Sequence, residues 1–280
     1  MKRLVVLIIL VTGTAFQLQS QGIIDDQPKM LFSNERTVGL FLNSNGIGAD
    51  FRFAEYINAR NDKLYDISFD YVKDPKEYKT PIYYQYYTRH FIYGKENLFW
   101  ELKAQFGRQK EMYQKYDFSS ISVRFFYSGG VAIGFQKPIY YEITTYDPIT
   151  FEPTSYQLLK YDPNIEYDGF GGTAPFTKGL DEIKLIPGLT AKAGLSFEYS
   201  EREPMVHALE AGIAVTAYMN RVKIMYQENE SDYPRFFFKM YLGYRFGTLL
   251  DISDAAKAKS AKERRKERRE AGGQPMLKLY

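Results

Sequence analysis

Charged side chains recur at every second position in several runs of this 280-residue chain, each with apolar residues between them. Asp50 and Arg52 alternate with Ala49, Phe51 and Phe53, and Glu101 and Lys103 with Trp100, Leu102 and Ala104. Lys239 and Arg245 hold equivalent places near the C-terminus, as do Asp70, Arg124, Lys192, Glu198 and Glu210 in other runs. Period-two spacing puts each set on one face of a strand. Gathered inside a barrel, these eleven groups could line a charged pathway for solute. They could equally pair off and plug a bore too narrow to conduct. Their balanced signs favour the plug.

Other residues invite chemistry less strongly. His90 and His207 are the two histidines. Barrel hydrolases place a histidine beside a serine or an acid. Both histidines are expected towards the end of their strands nearer the chain termini, without a partner at useful spacing, so no catalytic residue is assigned. Asp162, Asn164, Glu166 and Asp168 set oxygen ligands at alternate positions, a weak calcium pattern. Tyr167 stands where such a loop needs glycine, and turn chemistry alone accounts for the composition. No resident metal or cofactor is assigned. Finally, Ala255 to Glu270 is rich in helix formers, with arginine pairs at Arg264, Arg265, Arg268 and Arg269 but no apolar stripe. It is expected as a polar helix in a basic tail. That tail is either simply solvated or a handle for an acidic envelope partner or the cell wall.

The elements that must position these groups are strands. Apolar residues alternate most clearly over 98–106, 189–199, 209–217 and 236–246; the last run is as long as a transmembrane β-strand requires. Runs at 37–43, 47–56, 64–73, 83–93, 121–127 and 131–143 bring the expected total to ten, with eight or twelve as alternatives. Ser128-Gly129-Gly130 reads as a tight turn, and 107–118 and 144–187 as loops. The expected fold is therefore all-β: a ten-stranded antiparallel up-and-down transmembrane barrel over 35–247. It follows a lead at 21–34 and precedes a tail at 248–280. With both ends on the periplasmic side, turns at 58–63, 94–97, 128–130 and 200–205 fall inside. The loops at 74–82, 107–118, 144–187 and 218–234 fall outside.

Composition narrows the alternatives. Residues 1–20 carry two early cations, an apolar run and a polar end, as a secretory signal peptide does. No later stretch approaches the length of a membrane helix. Cysteine is absent, which excludes disulfides and thiolate metal sites. Twenty-five tyrosines and twenty-one phenylalanines suit the interfacial girdles of a membrane barrel. Formal charge is +3, but 251–280 alone carries nine Lys/Arg against five Asp/Glu. The basicity therefore belongs to a tail and argues nothing for nucleic acid. Small residues beside charges on the polar face (Gly48, Gly134, Gly194, Gly212, Ala214, Gly243) suit a crowded lumen better than a water-facing sheet. These features point to an integral outer-membrane protein in contact with lipid.

Several short runs carry a family resemblance. They are Tyr93-Gly94-Lys95 with Asn97, Gly107-Arg108-Gln109-Lys110, Phe126-Tyr127-Ser128-Gly129-Gly130, Lys137-Pro138, Lys178-Gly179-Leu180 and Tyr244-Arg245-Phe246-Gly247. Over most of 31–247 the chain resembles uncharacterised outer-membrane β-barrel proteins of Bacteroidota. The resemblance implies a barrel in such an outer membrane and transfers no catalytic residue. The expected role is non-enzymatic, structural or accessory within an envelope complex. A small-solute channel and an outer-membrane hydrolase are the alternatives.

Overall fold

The computed structural model describes residues 33–58, 60–83, 88–115, 120–146, 153–164, 170–200 and 205–251. In chain order, β1 (Ser33–Asn43), β2 (Gly46–Asn58) and β3 (Asn61–Val72) precede a hairpin of β4 (Lys79–Tyr83) and β5 (Thr88–Ile92). Next come β6 (Asn97–Tyr113) and β7 (Ser122–Pro138), then β8 (Tyr140–Tyr146), β9 (Pro153–Lys160) and β10 (Phe170–Thr173). The chain finishes with β11 (Lys184–Glu198), β12 (Met205–Tyr218) and β13 (Phe236–Asp251).

Eight of these strands close into an antiparallel barrel in the order β1-β13-β12-β11-β7-β6-β3-β2. The seam is a continuous ladder from Ser33 opposite Asp251 to Asn43 opposite Tyr241. Closure leaves the barrel no free edge, so its backbone donors and acceptors are paired within the wall.

The expected count of ten is corrected to eight, for two reasons. Ser128-Gly129-Gly130 is not a turn: β7 runs straight through it, joining 122–127 to 131–138 in one long strand, while the rest of the expected run at 131–143 passes into β8 outside the barrel. Gly130 stands opposite Gln105 in the β6–β7 ladder, and a Cβ there would lie 2.0 Å from the carbonyl oxygen of Ala104. The glycine serves strand packing rather than chain reversal. The aromatic run at 83–93 is not a wall strand either, because Tyr83 and residues 88–92 belong to the separate β4–β5 hairpin. Likewise 107–113 continues β6 instead of forming a loop, and 144–187 carries the end of β8, β9, β10 and the start of β11. The connections shift accordingly. Residues 94–97 lie at the loop end, and the link from β6 to β7 lies at the end holding the termini, each the reverse of the expectation.

The wall is apolar outside. Leu42, Leu189, Phe238 and Met240 are each about three-fifths or more exposed. From Phe236 to Phe246 the outward positions of β13 span about 33 Å along the strand, or about 25 Å along the axis at a tilt of about 40°. Aromatic rows frame this band. Tyr71, Trp100 and Phe135 are register partners near the loop end, and Phe53, Tyr65 and Phe106 near the end holding the termini.

The interior is filled. Val72, Phe99, Ala132, Ile186, Tyr218 and Phe237 form an apolar layer near the loop end. Val222, Ile224 and Met225, from the segment between β12 and β13, pack onto that layer from the mouth. Deeper lies a second apolar layer of Phe41, Ala54, Leu64, Phe126, Ala214 and Tyr241. Polar groups occupy the levels around it.

Beyond the rim the loops form a cap. The β8–β10 sheet and the segment 91–98 share a core of Phe91, Ile139, Tyr141 and Ile143. The Tyr141 hydroxyl donates to the carbonyls of Ile92 and Lys95, both at 2.7 Å. Burial pushes that phenol well above its ordinary pKa. Lys95, itself buried, pairs with Glu77 at 2.7 Å and fixes the loop before β4. Backbone bonds from Glu96 to Ile224 and from Tyr226 to Gly94 sew the mouth segment to this cap.

Candidate functional site

The candidate site is the charged interior, built by strand parity. Inward positions are odd on β1, β6 and β13 and even on β2, β3, β7, β11 and β12, so side chains distant in sequence meet across the bore. The structure gathers all eleven groups expected from the sequence there, in three tiers.

Nearest the loop end, under the apolar layer, Lys103 and Lys239 face Asp70 and Glu101. Lys239 Nζ lies 2.5 Å from Glu101 and 3.5 Å from Asp70; Lys103 contacts Asp70 and sits 3.3 Å from Glu101. Two acids meet two bases.

The middle tier is the densest. Arg52 holds Asp66 through Nε at 2.7 Å and Glu210 through Nη1 at 2.6 Å. Arg245 reaches the same Glu210 at 2.8 Å and Asp50 at 2.8 Å, and donates to the Thr37 hydroxyl at 3.1 Å. Lys192 pairs with Asp50 at 3.1 Å. The cations also rest on the second apolar layer: Arg52 lies 4.4 Å from the Phe126 ring centroid, and Lys192 4.4 Å from Phe41 and 4.8 Å from Tyr241. Three acids meet three bases, all but Lys192 almost wholly buried.

At the end holding the termini, Arg124 bridges Glu35 at 2.8 Å and Glu198, and Lys115 adds a 3.1 Å contact to Glu198. Asp62 and Glu111 line the same end, with Glu111 accepting from the Ser122 hydroxyl at 3.1 Å. The two inner tiers are thus neutral by formal count, and the excess of acid sits only where the bore opens. Moving a charge out of water costs several kcal/mol per ion, and only close, multiply bonded pairs offset this. Each buried charge of the inner tiers has an opposite partner. The arrangement also fills the cross-section with guanidinium, ammonium and ring, as a barrel of eight strands permits.

Several members fall outside the sequence-based set. Asp66 lies two positions before Ser68 on the inward face of β3, so carrying the parity back one step would find it. Glu35 precedes the first expected strand, and Lys115 sits in an expected loop. The Lys95–Glu77 pair in the cap has no periodic signal at all.

The remaining candidates are placed as follows. His207 is on the outer face of β12, near the termini end. Its ring stacks between Tyr199 and Tyr244, and its Nδ1 lies 2.7 Å from the Tyr244 hydroxyl. The Ser200 hydroxyl accepts a hydrogen bond from the His207 backbone, not from its ring. His90 is in β5, at the loop end, which corrects its expected position. Asp162 accepts hydrogen bonds from the backbone and side-chain amides of Asn164, an Asx turn; Glu166 and Asp168 lie outside the described residues. Arg264, Arg265, Arg268, Arg269 and the whole of 252–280 also lie outside them, as do residues 1–32 with the signal peptide and the lead up to that point. The polar helix expected in the tail therefore has no support from the structure.

What the fold and interior define is a closed eight-stranded antiparallel barrel, apolar on its outer wall and ion-paired within. No family model and no curated protein matches the chain. Solved structures similar to it include the following two. One is Neisserial surface protein A, at 10% identity and a TM-score of 0.35, over 76% of this chain and 95% of that one. The other is the N-terminal β-barrel domain of Pseudomonas aeruginosa OprF, at 10% identity and a TM-score of 0.31, over 78% and 97%. The count of eight strands rests on the register of this chain's own ladders.

Proposed function

We propose that the chain is an integral outer-membrane β-barrel with a non-enzymatic, structural or accessory role in the cell envelope. The observation that carries this reading is the inversion of polarity across the wall. Leucine, isoleucine and phenylalanine face outward over a band of about 25 Å, the height of a membrane barrel's apolar belt. The charges face inward and are paired there. A soluble barrel has the opposite arrangement, because water would meet an apolar surface far larger than monomeric proteins expose.

Within this reading residues 1–20 direct export and are removed, and the barrel sits with its capped end outside and its termini in the periplasm. The basic tail, with Arg264, Arg265, Arg268 and Arg269, is then a handle for an acidic envelope partner or the cell wall. The resemblance of the sequence runs supports a Bacteroidota source. A filled bore favours a structural role over a channel, and His207 bonded to Tyr244 supplies no histidine–serine or histidine–acid pair for a hydrolase.

Planar-bilayer recording on the purified, folded full chain tests the choice. The expected result is membrane insertion without steady ion conductance. Sustained single-channel steps from inserted wild-type protein would overturn the structural role in favour of the channel.

A further inference from the structure

The outer wall differs between its two halves at the end holding the termini. On β1, β3 and β6 the outward positions there are Arg36, Lys63, Arg108 and Lys110. Arg36, Arg108 and Lys110 are exposed, and no carboxylate pairs with them among the described residues. Lys63 has Glu55 at 3.9 Å, and both remain more than two-fifths exposed. On β7, β11, β12 and β13 the equivalent outward positions are apolar or aromatic: Val123, Phe197, Leu209 and Phe246, with His207 stacked between Tyr199 and Tyr244. Among the described residues, that half has no Lys or Arg on its outer face at this end.

Register sharpens the contrast. Lys63 stands directly opposite Arg108 in the β3–β6 ladder, and Lys110 is the next outward residue on β6. Like charges in facing cross-strand positions repel, and they lose stability unless an anion sits between them. The cluster also adjoins an aromatic row. Lys63 lies one outward position from Tyr65, Arg108 one from Phe106, and Arg36 lies 5.8 Å from the Phe53 ring centroid. Tyrosine and phenylalanine in such a row mark the level where hydrocarbon gives way to headgroups. A group of cations beside it, against the single acid Glu55, complements a headgroup of net negative charge rather than a zwitterionic or neutral one.

We propose that this half-wall docks the phosphate headgroups of anionic phospholipids in the membrane leaflet on the side of the chain termini. The site rests on the membrane reading above. Lys63, Arg108 and Lys110 share one phosphate, Arg36 takes a neighbouring one, and the acyl chains lie on Phe53, Tyr65 and Phe106. Occupancy would relieve the Lys63–Arg108 repulsion. It would also give the barrel a preferred lipid side, leaving the aromatic half of the wall for neutral lipid.

The test reconstitutes the full chain in vesicles of phosphatidylcholine carrying a minor fraction of phosphatidylglycerol. Enrichment of each lipid at the barrel is measured with spin-labelled analogues, for wild type and for the R108Q/K110Q variant. K63Q, which leaves β6 untouched, is the second variant. Folding is checked by gel-mobility shift and far-ultraviolet circular dichroism. Wild type should enrich phosphatidylglycerol about fivefold or more, as expected for one or more cations at an anionic surface, and R108Q/K110Q should lose most of that enrichment. K63Q should lose part of the preference. Equal enrichment of both lipids by a folded, inserted wild type overturns the lipid site and leaves the membrane reading intact. Failure of a folded barrel to insert into any vesicle overturns the membrane reading itself. Loss of phosphatidylglycerol enrichment on adding inorganic phosphate at constant ionic strength would assign the site to a soluble anion and overturn the lipid proposal.

Discussion

Replacing Glu210 with glutamine tests whether the interior is a dry plug or a wet lumen. Glu210 is fully buried and accepts from two guanidiniums, Arg52 at 2.6 Å and Arg245 at 2.8 Å. The glutamine keeps the shape and one carbonyl acceptor but turns a three-to-three cluster into two acids against three bases. Arg52 keeps Asp66 and Arg245 keeps Asp50, so neither loses every partner; the excess positive charge is nevertheless shared among buried side chains. Breaking one partner out of a buried pair costs about 3–5 kcal/mol. In urea, with a slope of about 2 kcal/mol/M, the unfolding midpoint should drop by about 2 M. Trp100, the single tryptophan, faces outward within the aromatic row at the loop end, so its emission follows loss of the folded wall. The E210Q/R245M double variant restores the charge balance and should recover about 2 kcal/mol relative to the summed single costs. An E210Q loss below about 1 kcal/mol, the range of exposed ion pairs, would refute the plug. It would mean that water reaches Arg52 and Arg245, and the channel reading would then regain its ground.

Two further perturbations follow from the wall and the cap. Gly130→Ala should sharply lower folded yield in refolding assays read by gel mobility, because its Cβ would collide with Ala104 oxygen at 2.0 Å and Gln105 Cα at 2.8 Å. Gly129→Ala should fold normally, since the nearest atom to its Cβ would be Thr190 oxygen at an ordinary 3.7 Å. For the cap, the Tyr141 phenol is neutral in the fold and its pKa is raised by burial, so the folded state holds a proton that the unfolded state loses near pH 10. Cap stability should therefore be constant below about pH 9 and fall as pH rises through about 10 and beyond. Limited proteolysis of the loops at graded pH reads this out. Tyr141→Phe, which also gives up the hydrogen bonds to Ile92 and Lys95, should be looser at neutral pH and show a flatter alkaline loss.

How much of this is legible in the sequence follows from what alternation does and does not encode. Where the outer face is apolar and the inner face charged, as in 189–199 and 236–246, parity alone puts Lys192, Glu198, Lys239 and Arg245 on the inside. Where both faces are apolar the signal fades. Phe236, Phe237 and Phe238 look alike in sequence, yet Phe237 closes the bore while its neighbours face outward. Glycine misleads for a physical reason: at Ser128-Gly129-Gly130 it admits a neighbouring strand, and turn chemistry uses the same residue for chain reversal. The expected β6 stops at 106 because outward Arg108 and Lys110 make its last residues resemble a polar loop. The cap is illegible because Tyr93, Tyr141 and Tyr161 meet through loop geometry that has no period.

The three tiers and the two apolar layers together explain why the bore is closed by more than one means. Removing Val222, Ile224 and Met225 from the mouth would expose Val72, Phe99 and Phe237, but the Asp70–Glu101–Lys103–Lys239 tier still lies beneath them. Removing that tier would leave Arg52 and Arg245, each held by two acids and supported by Phe126 or Phe41. A solute path would need all of these groups to move together, and each movement would separate charges in a space with little water to screen them. The same contacts that fix the barrel's shape therefore oppose the opening of a path through it.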